Sequence, residues 1–313
     1  MKSQKRFLAI VAFCLALCTL MSACAPAASN TPETTEGKSN IMQKEDPAKD
    51  DTFNLLMIGN SFCYYFTEEL FGLAKAAGIK LRVCNLYASG CTLEQHWTWW
   101  KGNMANYESF TVIDENGTQK VEGISLEYCL KQYNWDAISL QEASGCVRTT
   151  SADMMIATRE TYLRDLWTYI KEQFPQSRHL WQQSWSYQIG FDNFGYRVAD
   201  VKEQKGYADR MRTAALEICK TYELERVNTG EAWEIVRDGG YDNMCARLAI
   251  NNGEGDYYHD GDIGGGQYLN ACVWFEILTG QSCVGNTFRP TYQLSEDLIE
   301  KFQNAAHQAV ASR

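Results

Sequence analysis

Short apolar runs alternating with helical stretches predict an α/β fold, a three-layer α/β/α sandwich around a central, mostly parallel five-stranded sheet. Three observations carry that expectation. The first strand candidate, at 53–58, is mostly apolar on successive residues, as strands covered on both faces are. Segments of helical length and period separate them. No run of consecutive hairpins and no repeat of fixed period interrupts the alternation.

The first strand is the run at 53–58, Phe-Asn-Leu-Leu-Met-Ile, closed by Gly59. A helix follows at 67–77, where Leu70, Leu73, Ala74 and Ala77 share one stripe and Gly78 ends it. Residues 79–86 give the second strand. From Ser89 to about Tyr133 no period holds, and the turn sequence Asp114-Glu115-Asn116-Gly117 suggests an insertion built on a hairpin, around 97–133. Strands are then expected at 135–141, 177–182 and 224–227, with helices at 153–174, 202–222, 264–278 and 294–311. In open sheets of this kind ligands bind beyond the carboxyl ends of the strands, so chemistry is sought in the corners that follow them.

Composition narrows the classes of function. With 313 residues, 45% of them apolar, the chain can build one domain with a full core even after losing a leader. Its net charge of −10 has the wrong sign for neutralising nucleic-acid phosphates or for adhering to an anionic membrane surface. A neutral or small partner suits this balance.

Lys2, Lys5 and Arg6 precede an apolar stretch over 7–21, and the small residues Ser22 and Ala23 lead into Cys24. That is the layout of a secretory signal. Leu20-Met21-Ser22-Ala23-Cys24 resembles a bacterial lipobox, which implies removal of residues 1–23 and a lipid anchor on Cys24. Residues 24–51, rich in Ser, Thr, Pro, Glu, Lys and Asp, cannot bury enough surface to order themselves and read as a tether to a domain at 52–313. The expected location is the outside of the cytoplasmic membrane or the cell surface, with the membrane reached only through the lipid. Twelve cysteines less Cys14, Cys18 and Cys24 leave nine in the domain: Cys63, Cys84, Cys91, Cys129, Cys146, Cys219, Cys245, Cys272 and Cys283. Nine is odd, so at least one thiol stays unpaired. No CxxC or other zinc-like spacing occurs among them, and no metal site is expected.

Polar or glycine-containing corners follow three of the expected strands: Gly59-Asn60-Ser61-Phe62, Ser89-Gly90 and Gln141-Glu142. Asp256-Tyr257-Tyr258-His259 comes later. A serine hydroxyl is a weak nucleophile until a base takes its proton and a carboxylate fixes the tautomer of that base. Asp256 and His259, three residues apart, can lie on one compact turn. Each element alone has a plainer reading, a helix cap for Ser61, a tight turn for Gly90 and a polar loop for Asp256 and His259. Their joint order is what favours chemistry.

Taken in that order, the blocks resemble the SGNH or GDSL hydrolase superfamily over about residues 53–280, and within it a secreted, lipoprotein esterase-like branch with a Gly-Asn-Ser-Phe first block. The resemblance implies a flavodoxin-like fold and a serine esterase that needs no cofactor. It implies Ser61 as nucleophile, His259 as base and Asp256 as the carboxylate that orients the base. The backbone N–H groups of Ser61 and Gly90, with the side chain of Gln141, are the implied oxyanion donors. Two positions depart from the family pattern. Asn60 stands where the first block usually has Asp, and Leu140-Gln141-Glu142 stands where the third block usually reads Gly-x-Asn-Asp, so that Gln141 offers the same amide on a longer stem.

Asn60, His96, Trp97, Glu142 and Trp185 are the candidates for contact with substrate, being close in sequence to these corners. Aromatic residues near the second and fourth strand ends suit the apolar faces of sugar rings, with core packing the alternative for most of them. The expected reaction is hydrolysis of an O-acyl ester, above all an O-acetyl group on a carbohydrate, through an acyl-enzyme on Ser61. The alternative is a catalytically idle surface lipoprotein that holds a glycan in the same crevice. The glycine run at 264–266 lacks the features of a phosphate or calcium loop and reads as permissive backbone bringing His259 over Ser61.

Overall fold

The computed structural model describes residues 51–143, 152–193, 196–246, 256–261 and 263–313. The expected leader, Cys24, almost all of the tether, and Cys146 lie outside them. The sheet has seven strands: β1 (Phe53–Gly59), β2 (Leu81–Tyr87), β3 (Ser109–Asp114), β4 (Gly117–Val121), β5 (Ala137–Leu140), β6 (Arg178–Gln182) and β7 (Glu225–Val227), in the order β4-β3-β2-β1-β5-β6-β7. β2, β1, β5, β6 and β7 run parallel, as expected of the five-stranded sheet. The strand count differs because the hairpin in the irregular stretch pairs with the sheet, β3 running antiparallel to β2 and β4 antiparallel to β3. A separate two-residue ribbon pairs Asp192–Asn193 with Tyr196–Arg197.

The strands divide their side chains between two cores, as a period of two dictates. Leu55 and Met57 of β1 join one apolar cluster and Leu56 and Ile58 the other. The first cluster is closed by α2 (Thr67–Ala76), α7 (Thr229–Asp238), α9 (Gly266–Thr279) and α10 (Glu296–Ala311). The second is closed by α3 (Leu93–Lys101), α4 (Leu126–Leu130), α5 (Ala152–Gln173) and α6 (Val201–Tyr222). Short helices α1 (Ser61–Tyr64) and α8 (Tyr257–Asp260) lie beyond strand ends. α9 packs against α2 and α7 under α10 and is buried all round from Gly266 to Leu278, which is why its sequence is apolar on every face. No described helix is long and apolar enough to cross a membrane.

Among the described residues eight cysteines are buried free thiols, Cys272 among them. The chain leaves β1 to build β2 on one side and returns to build β5 on the other. The crevice at this switch lies between the corners after β1, β2 and β5.

Candidate active site

The corner after β1 is built around a side chain that caps a helix. Gly59 is required by close packing: a Cβ there would lie 2.6 Å from Cγ of Gln141 and 2.8 Å from Sγ of Cys63. Asn60 is extended and caps α1, its Oδ1 accepting the Phe62 N–H at 3.0 Å. The same Oδ1 accepts from Nε2 of Gln141 at 2.6 Å, and Nδ2 donates to the Cys91 carbonyl at 3.0 Å. With the Ala88 N–H donating to the Gly59 carbonyl at 3.3 Å, the turn after β2 is tied to the corner after β1. Gly90 lies in that turn at φ +60, where glycine is the permissive residue. Among the described residues, neither the Ser61 nor the Gly90 N–H has a hydrogen-bond acceptor.

The body of α1 is fixed from three sides. The Phe62 carbonyl accepts from Nε2 of Gln182 at 2.7 Å and from the Tyr258 hydroxyl at 3.2 Å, and the Cys63 carbonyl accepts from Nδ2 of Asn85 at 3.0 Å. Beneath it the Phe62 ring packs on Trp185 with centroids 4.5 Å apart, and Trp185 stacks on Trp233 at 4.6 Å.

α8 brings the histidine. Asp256 caps it, Oδ1 accepting the His259 N–H at 3.0 Å, while Oδ2 of the same carboxylate lies 2.8 Å from Nδ1 of the His259 ring. Nε2 of that ring lies 3.0 Å from Oγ of Ser61. A neutral imidazole protonated at Nδ1 therefore donates to Asp256 and leaves a lone pair facing the serine hydroxyl. Phe62 and Tyr65 stand edge-on to the His259 ring, with centroids 5.9 and 5.5 Å away. Tyr258, fully buried, reaches the Phe62 carbonyl of α1 and so couples the helix carrying His259 to the one carrying Ser61. The glycine run packs tightly where α9 begins. A Cβ on Gly264 would lie 2.2 Å from the Asn243 carbonyl oxygen, and Gly265, at φ +79, starts α9.

Ser61, Asp256 and His259 thus come together from opposite ends of the domain, with Gly90 alongside. The other expected site residues have different surroundings. Gln141 is buried behind the corner with its Nε2 on Asn60, so it braces the cap; it was expected to face an oxyanion. Asn60 is itself buried and occupied with Phe62, Gln141 and Cys91, which corrects its reading as a substrate contact. Glu142 is buried too: Oε1 accepts from the Leu93 and Ala143 N–H groups and Oε2 from Nε of Arg159. It pins the start of α3 to the end of β5. Trp185 is a core residue under Phe62, and Trp97 packs on Tyr162 and donates to Asp165 of α5. The sugar-facing reading of Trp185 is corrected accordingly, while Trp97 is partly exposed.

The Asn60 cap explains the departure from Asp at this position. A carboxylate would set a negative oxygen against the Cys91 carbonyl where the amide now donates. Asn60→Asp is expected to lower stability by about 1–3 kcal/mol, measured by chemical denaturation.

His96 is also withdrawn from the crevice. It is fully buried, with Nδ1 2.7 Å from the Tyr107 hydroxyl and 3.6 Å from Sγ of Cys91, and burial depresses its pKa from 6.5 to about 3. The unfolded chain then takes up a proton below pH 6.5 that the folded protein refuses until about pH 3. Stability contributed by the neutral ring is complete above the unfolded value and is lost as pH falls through that window, at up to about 1.4 kcal/mol per pH unit. A His96→Gln variant is expected to show a shallower fall between those limits when denaturation midpoints are compared across pH.

A second Ser, His and acid grouping, Ser282, His307 and Glu276, lacks this arrangement. Ser282 Oγ lies 3.3 Å and Glu276 Oε2 3.1 Å from the same ring nitrogen, Nδ1 of His307. One nitrogen cannot both be oriented by the acid and accept from the serine.

The fold and site define an α/β domain whose strand ends gather a serine, a histidine and an aspartate beside a glycine turn. The chain belongs to the DUF4886 family, a domain of unknown function, whose model matches residues 54–309. It is similar to the crystal structure of a DUF4886 family protein from Bacteroides uniformis ATCC 8492, at 25% identity and a TM-score of 0.72, over 83% of this chain and 95% of that one. It is also similar, at a TM-score of 0.41 and 12% identity, to a putative GDSL-like lipase from Parabacteroides merdae ATCC 43184, over 85% of this chain and 98% of that one. Phospholipase A1 from Streptomyces albidoflavus NA297 matches at a TM-score of 0.42 and 10% identity, over 73% of this chain and 99% of that one. No match was found among curated proteins.

Proposed function

We propose that the protein is a serine esterase that hydrolyses O-acyl esters through an acyl-enzyme on Ser61. The supporting observation is the continuous contact from Ser61 Oγ to His259 Nε2, 3.0 Å, and from His259 Nδ1 to Asp256 Oδ2, 2.8 Å. In this reading His259 takes the hydroxyl proton as Ser61 Oγ attacks the ester carbonyl. Asp256 stabilises the imidazolium that forms. The Ser61 and Gly90 N–H groups receive the developing oxyanion. His259 then returns the proton to the departing alkoxide, so an alcohol leaves and an acyl-serine remains. A water, deprotonated by the same nitrogen, attacks the acyl carbonyl; the bond to Ser61 Oγ breaks, His259 returns the proton to that oxygen, and the carboxylic acid is released.

The substrate we propose is an O-acetylated carbohydrate, met outside the cell by a protein held to the membrane through lipid on Cys24. The acidic net charge and the secretory leader support this setting. A second reading draws on Gln141, whose amide is engaged with Asn60: a catalytically idle lipoprotein that holds a glycan in the same crevice. The two diverge in one experiment. Protein starting after Cys24 is given 4-nitrophenyl acetate and acetylated glycans; turnover is expected. Glycan binding without turnover, unaffected by Ser61→Ala, would replace the esterase with the binding protein.

A further inference from the structure

Three tyrosines near the Ser61 hydroxyl form a continuous set of rings. Tyr65 stands edge-on to His259, with centroids 5.5 Å apart and planes at 83°. Tyr64 meets Tyr65 edge-on at 5.3 Å and 75°, and lies against Tyr87 at 4.6 Å and 32°. All three are partly exposed, whereas Phe62, Tyr258 and Trp185, the other large rings around α1, are buried. The set runs from the base to the end of β2, whose following turn holds Gly90. At that far end the Ser89 N–H donates to Oε1 of the exposed Glu108 at 2.8 Å.

We propose that Tyr64, Tyr65 and Tyr87 are the subsite for the leaving alcohol, and that this alcohol is a neutral sugar ring. The inference rests on the esterase reading and adds the residues that hold its leaving group and the neutral charge of that group. The leaving oxygen must receive its proton from His259 Nε2, so the alcohol part of the ester lies on the histidine side of Ser61, where Tyr65 begins the shelf. A pyranose or furanose ring has apolar C–H faces that pack on aromatic rings and a rim of hydroxyls that needs polar partners. The tyrosines supply the rings, and Glu108 supplies a carboxylate that accepts from neutral hydroxyls and repels phosphate, sulfate or uronate groups. The shelf takes the place of the tryptophans that sequence proximity suggested.

The test compares kcat/KM for a mono-O-acetylated methyl xyloside with that for ethyl acetate, which has no ring, in the wild type and in Tyr64→Leu, Tyr87→Leu and Tyr64→Phe. Thermal melts identify any variant that fails to fold. The ratio of sugar ester to ethyl acetate is expected to fall about fivefold or more in each leucine variant and to hold within about twofold in Tyr64→Phe, which keeps the ring. An unchanged ratio in both leucine variants overturns the shelf, as does an equal loss on the two esters. Phenyl acetate is the third substrate: if its ratio to ethyl acetate falls while that of the sugar ester does not, the sugar assignment is wrong. Wild-type protein that turns over none of the three removes the esterase reading and the leaving-group assignment with it.

Discussion

Ser61→Ala and His259→Ala are each expected to lower kcat on 4-nitrophenyl acetate by at least about 10⁴-fold, and the double variant to lose little more than either alone. In the esterase reading the two groups act as one unit. Without Oγ there is nothing to acylate, and without Nε2, 3.0 Å away, the hydroxyl keeps its proton and remains a poor nucleophile. The residual rate reports what the oxyanion donors and binding achieve by themselves. Neither change should unfold the domain, because α1 is held through Asn60, Phe62 and Cys63 and α8 through Asp256 and Tyr258. Steady-state kinetics with a denaturation curve for each variant checks both halves. A Ser61→Ala protein that keeps most of its kcat would rule out this nucleophile.

Asp256→Asn is expected to lower kcat by about 10⁴-fold while leaving stability almost unchanged. The carboxylate has two separable duties. Oδ1 caps α8 by accepting the His259 N–H, and an amide oxygen can do the same. Oδ2 faces Nδ1 of the ring, where an amide NH2 would donate instead and force the ring proton onto Nε2. That tautomer has no lone pair for the Ser61 proton. Asp256→Ala should match it in kinetics and lose about 1 kcal/mol more in stability, the usual cost of a missing cap. Equal activity in Asp256→Asn and the wild type would mean that the carboxylate serves the helix alone.

The parallel sheet was legible because β1, β2 and β5 are short, mostly apolar and buried runs and helices alternate with the strands, although β6 and β7 carry polar residues at their half-buried starts. α7 and α3 were not read. For α3 a signal was present: Thr92 and Gln95 form a capping box, side chain to backbone in both directions, ahead of Leu93–Lys101. The run of three tryptophans nearby obscured the period. Ser61, Asp256 and His259, which the fold brings into contact, were legible as ordered blocks because each depends on backbone shape or on a short local spacing. His96, Glu142 and Trp185 were misread for a common reason. Proximity to a strand end says that a side chain is near the crevice in sequence, not which way the following turn aims it. Asn60 and Gln141 show the same limit from the other side, since their bond spans two strands and 81 positions of sequence. Tyr64, Tyr65 and Tyr87 gave no signal beyond being aromatic, and only the fold brings β2 beside α1.

The most direct test of the central claim is to treat the wild type and His259→Ala with a fluorophosphonate, which phosphonylates an activated serine, and to locate the adduct by peptide mass spectrometry. The adduct is expected on the peptide containing Ser61 in the wild type and absent in His259→Ala, because fluoride is displaced only by a hydroxyl whose proton Nε2 removes. An unmodified Ser61 in folded wild-type protein, or an adduct confined to another serine, would contradict the account.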